Sequence, residues 1–108
     1  MAREAEIAFT VGDGIATNWV NHSRFREAEA LCHVTLQLGD DYRILHTVAR
    51  AEEVLGDTAQ ARRHYEEALA SAPTPTAETP KGAIAERAAI LNNLAGLVAQ
   101  QEIGRAHV

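Results

Sequence analysis

The chain has 108 residues, a formal net charge of −5, 46% hydrophobic residues and only 5% aromatic ones. A chain of this length makes one domain with a modest core, and its acidic balance excludes a protein that grips nucleic acid through a broadly basic surface. With a single cysteine, Cys32, an intramolecular disulfide is excluded too, and the apolar Leu31 and Leu36 around it mark it as a small buried residue rather than a reactive thiol.

Apolar residues recur at helical spacing throughout, with no alternation of the kind a half-buried strand shows, so the pattern predicts an all-α fold of five helices. The first carries Ile7, Ala8, Val11, Ile15, Ala16 and Trp19 along one side, although Gly12 and Gly14 weaken it by about 1 kcal/mol each. Its start is charged, at Arg3, Glu4 and Glu6, and lacks the apolar segment of a secretory signal. Nor does any stretch reach the length of a membrane span. A cytoplasmic address without membrane attachment is the expectation.

The second helix is expected from about Arg24 to Leu38, with Ala28, Leu31, Cys32, Thr35 and Leu36 on one face and Gly39 ending it. Asp40 or Asp41 then caps the third, which presents Ile44, Leu45, Val48 and Leu55 and stops at Gly56. Asp57, with Gln60 three residues on, resembles a capping box for the fourth helix, whose stripe is Ala61, Tyr65, Ala68 and Leu69. Pro73 and Pro75 end it in the one long connector. Thr79 as cap and Pro80 in the first turn start the fifth helix, with Ile84, Ala88, Leu91, Leu94, Ala95 and Val98 as its apolar side.

Sliding the sequence along itself by 33 residues pairs Ile15-Ala16 with Val48-Ala49, Ala28 with Ala61, Cys32 with Tyr65 and Leu36 with Leu69. Periods near 34 residues with two helices per unit belong to stacked helical hairpins. The run Leu55-Gly56-Asp57, then Ala61, Tyr65, Ala68-Leu69 and Pro73, resembles the hallmark of the tetratricopeptide repeat. Phe25 to Leu31 looks like the second helix of a preceding repeat, and Leu91 to Ala95 like the first helix of a following one. Departures from the family pattern are Ser23 where a turn glycine is usual and Asp40 where a closing proline is usual. The step from Ala49 to Ala95 is also 46 residues, lengthened around the proline-rich connector.

The resemblance implies a short right-handed α-solenoid of about two and a half repeats, over about residues 8–41, 42–75 and 79–101, within a domain of residues 1–101. Residues 102–108 break the repeat spacing. The codons GAG ATC GGA AGA GCA CAC GTC would encode them, and the last six follow the start of a common short-read sequencing adapter, so residues 102–108 are expected to be a non-native tail on a frame truncated at Gln101.

His22, His33, His46, His64 and His107 are scattered without metal-ligand spacing, and no phosphate-binding glycine loop occurs. Arg62-Arg63-His64 shares its helix with Glu66 and Glu67, a balanced solvated face rather than a phosphate site. No enzyme, cofactor or metal is expected. In the family that the chain resembles, first helices line a concave groove for a peptide or helix of a partner protein. That places Thr17 and Asn21, then Arg43, His46, Thr47 and Arg50, then Asn92 and Asn93 on the inner wall. Arg43, His46, Thr47 and Arg50 follow one helix face, and their two fixed positive charges suit an acidic segment. The alternatives are self-association through the exposed C-terminal repeat, and a regulatory segment of a larger signalling or transcription-control protein.

Overall fold

The computed structural model describes residues 2–106 and is all-α: α1 (Ala2–Asn21), α2 (Phe25–Leu36), α3 (Tyr42–Leu55), α4 (Thr58–Ser71) and α5 (Lys81–Ala106). Each helix packs on the next, and α1 also packs on α3. Turns of a few residues link α1 to α2, α2 to α3 and α3 to α4, and these links can only return the chain alongside itself.

The turns show how the sequence sets the helix ends. Ser23 sits at φ 63°, the left-handed region that a glycine enters freely and an L-residue occupies at a cost of about 1–2 kcal/mol. The departure from a turn glycine at this position therefore keeps the glycine conformation without the glycine. Gly56 closes α3 at φ 89°, its N–H bonded to the Glu53 carbonyl at 3.2 Å while Asp57 N–H reaches the Glu52 carbonyl at 2.9 Å. Asp41, rather than Asp40, caps α3, accepting from Arg43 N at 2.9 Å and Ile44 N at 3.4 Å.

Of two expected caps, one is half made and the other is not made. Asp57 accepts from Gln60 N at 3.4 Å, but Gln60 does not return the bond, and its Oε1 is buried without a hydrogen-bond partner. Thr79 does not cap α5; its hydroxyl lies 2.9 Å from Thr76 N and 3.2 Å from the Thr74 carbonyl, within the connector. Pro80 precedes the helix, its carbonyl accepting from Ala83 N and Ile84 N. At the other end of the connector Ala72 is extended, φ −70° and ψ 145°, as the ring of Pro73 requires of its predecessor.

Two clusters make the core. Phe9, Ala16, Val20, Ala28, Cys32, Ile44, Val48 and Ala51 form one, and Leu45, Ala49, Ala61, Tyr65, Ala68, Ile90 and Leu97 the other. Helix α3 supplies both, Ile44 and Val48 to one side and Leu45 and Ala49 to the other. Small residues at the crossings let the helix backbones approach closely, Gly12 most of all: a Cβ there would lie 2.9 Å from Thr35 Oγ1 and 3.2 Å from its Cγ2.

The buried faces of the outer helices differ from the expected ones. On α1 the inward residues are Phe9, Ala16 and Val20, while Ile7, Val11 and Ile15 are 55%, 55% and 42% exposed. On α5 they are Ile90 and Leu97, with Leu94 partly buried against them, while Ile84 and Leu91 remain exposed. Both helices are apolar on more than one side, so periodicity alone does not say which side meets a neighbour. Helix α5 also continues without a break past Gln101 to Ala106. Gly104 is tolerated inside it, and His107 and Val108 of the expected tail lie outside the described residues.

Candidate functional site

The polar stripe of α3 starts from Asp41, whose carboxylate both caps the helix and holds Arg43. Arg43 Nε and Nη2 each donate to an Asp41 oxygen at 3.1 Å, and Glu6 Oε1 lies 3.8 Å away. This two-pronged contact raises the Arg43 pKa from its ordinary value. The first of the two expected cationic positions is therefore already engaged.

One turn further along, Thr47 is 3% exposed and its hydroxyl lies 2.8 Å from Asp13 Oδ1 and 3.5 Å from the Thr17 hydroxyl. Asp13 on α1 thus receives a hydrogen bond from α3, and Thr17 approaches the same oxygen at 3.4 Å. Burial pushes the Asp13 pKa up, the Thr47 hydrogen bond opposes this, and the nearby Glu86 carboxylate adds to the rise.

On the opposite flank, His46 is 6% exposed and joins α3 to α5 through both ring nitrogens. Nδ1 lies 3.1 Å from Glu86 Oε1, and Asn93 Nδ2 lies 2.9 Å from Nε2. With the amide nitrogen placed at Nε2, that ring atom accepts and Nδ1 donates to Glu86. The hydrogen bond to His46 is the main cause of a lowered Glu86 pKa, partly offset by burial.

Of the expected groove residues, the fold brings Thr17 to Thr47 and Asn93 to His46, with Arg43 at the near end of the same face. Arg50 is half-buried beyond them, whereas Asn21 and Asn92 are exposed. His46 and Thr47 are not free to meet a peptide: both are buried, and their polar atoms are spent on Glu86, Asn93 and Asp13. Asp13 and Glu86 escaped the sequence reading as site residues, and Asp41 was read only as one of two candidate caps. The readable signal was the cap position for Asp41 and the one-turn spacing of Asp13 and Thr17; for Glu86 there was none, because its partner is 40 residues away.

The histidines are less scattered in space than in sequence. The His33 and His64 rings stand edge to face with centroids 6.1 Å apart, and the His46 ring is 6.0 Å from that of Tyr65. An open apolar recess of about 390 Å³ is lined by Trp19, Ala30, Leu31 and Val34, with Glu27 its one charged residue. Among the described residues no helix is long and apolar enough to cross a membrane. Compared with protein-family models, with curated proteins and with solved structures, the chain gives no match.

Proposed function

We propose that the chain is a tetratricopeptide-repeat scaffold without catalytic activity, in which the hairpins α1–α2 and α3–α4 and the first helix of a further unit, α5, stack as a short right-handed solenoid. A peptide or helix of a partner protein binds along α1, α3 and α5. What supports this most is that three of the pairs made by the 33-residue shift are buried alike, although Ile15, 42% exposed, does not match its partner Val48 at 0%. Ala16 with Ala49 and Ala28 with Ala61 are all at 0%, and Cys32 with Tyr65 at 0% and 1%. Units of one kind, stacked in one way, put equivalent residues into equivalent surroundings.

An acidic occupant would dock at Arg50, which makes no ion pair among the described residues, because Arg43 is held by Asp41. Asn21 and Asn92 offer amide groups to a peptide backbone at the two ends of the face. The test is a fluorescence-polarisation screen of labelled peptides of defined charge, followed by nitrogen-15 shift mapping. Binding is expected to perturb Asn21, Arg50 and Asn92, and Arg50→Glu to weaken an acidic peptide about tenfold or more. No binding by any peptide, or shifts confined to the outer sides of α2 and α4, would remove the reading.

One observation favours self-association as a second reading. Ile84 and Leu91, 39% and 46% exposed, share a side of α5 with the exposed Ala88 and Ala95. Mass measured by light scattering would then rise with concentration.

A further inference from the structure

Side chains distant in sequence converge where α2, α3 and α4 meet. Glu29 and His33 are one turn apart on α2, Glu52 comes from α3, and one ligand atom from each lies within 4.8 Å of the other two. Glu52 is 2% exposed, and its Oε1 lies 2.5 Å from His64 Nδ1 on α4. Among the described residues neither Glu29 nor Glu52 forms an ion pair with a lysine or arginine. Two carboxylates, one withdrawn from water, thus share a small space with the imidazoles of His33 and His64. Such a buried charge is costly without a counter-charge. The field of these carboxylates also reaches Cys32, whose thiol pKa is pushed up to about 12 by burial first and then by Asp13, Glu52 and Glu29.

We propose that this junction binds a divalent cation, with Zn²⁺ the best match, through Glu29, His33 and Glu52. One imidazole nitrogen and two carboxylate oxygens form a donor set that a borderline cation accepts, and three protein ligands leave the fourth position to water. His64 is a positioning residue: one Glu52 oxygen accepts from its Nδ1–H, which leaves the other oxygen for the ion. Ligand bonds of about 2.0–2.2 Å require the three donors to draw closer than 4.8 Å. The exposed His33 and half-buried Glu29 have the rotamer freedom to close on Glu52, which burial holds in place. Because α2 belongs to one hairpin and α3 to the next, the bound ion is a clip between them, and it stabilises the fold in proportion to its occupancy.

The test uses the full chain, stripped of metal with chelator, titrated with Zn²⁺ by calorimetry and with Co²⁺ by visible absorption. One ion per chain is expected, and it should be released by excess chelator. Glu29→Gln and His33→Ala should each weaken binding about tenfold or more, while His22→Ala, at the α1–α2 turn, leaves it unchanged. Among the described residues the side chains of Glu29 and His33 make no hydrogen bond, so circular dichroism should stay native in both variants. Absence of saturable binding to the native chain would overturn the site, and so would undiminished binding in the double variant.

Discussion

Asp13 and Glu86 flank the same stripe of α3, yet their pKa values move in opposite directions. Asp13 is raised above its ordinary value, so its contribution to stability is fully present below the unfolded pKa and is lost as pH rises through the folded one. At neutral pH the ionised Asp13 is therefore a burden that Thr47 only partly relieves. Asp13→Asn keeps an acceptor for Thr47 and removes the charge, and its melting temperature at neutral pH should exceed that of the native chain, the gap closing toward acid. Glu86 is lowered, so its stabilisation is present above the unfolded pKa and lost as pH falls through the folded one. Glu86→Gln should accordingly cost stability at neutral pH and progressively less in acid. Thermal melts of both variants across the acid range check the two signs, and parallel pH profiles would contradict them.

At the scale of single helices, the five glycine positions inside α1 and α5 are not equivalent. Gly12 faces Thr35, whereas nothing lies within 4 Å of a Cβ added at Gly14 or Gly96. Gly14→Ala and Gly96→Ala should each stabilise by about 1 kcal/mol, the propensity gain of an open helix position. Gly12→Ala should forfeit that gain, because the buried Thr35 must shift from its hydrogen bond to the Leu31 carbonyl. Urea midpoints of the three variants test the contrast. Helix existence and most ends were legible in the sequence because Gly39, Gly56, Asp41, Asp57 and Pro73 act within a few residues of themselves. The buried sides of α1 and α5 were not legible. That choice depends on which neighbour arrives, and Val11 or Ile90 carries no local mark of it. The same holds for the site: Arg43, His46, Thr47 and Arg50 could be placed on one face by spacing, but Asp13 and Glu86 reach that face from other helices.

For the molecule as a whole, α3 is the shared wall of both core clusters, and Leu36 packs against both as well. Disturbance of one cluster should then be felt in the other. Leu45→Ala removes a side chain that is 1% exposed from the second cluster, which should cost roughly 2–5 kcal/mol. Trp19, the single tryptophan, packs against the first cluster. Its fluorescence transition in urea should shift as far as the far-ultraviolet circular dichroism does, and an unmoved fluorescence transition would mean that the clusters melt independently.

The connector between α4 and α5 is exposed from Pro73 to Glu78, while Ile90 and Leu97 of α5 are almost wholly enclosed by the second cluster. The covalent link across residues 73–78 therefore adds little enclosure of its own. Its role is to keep α5 at high effective concentration beside its seat. A chain severed there is a complementation pair: a four-helix acceptor and a one-helix donor whose reunion restores the enclosure of Tyr65 and the bridge from His46 to Glu86.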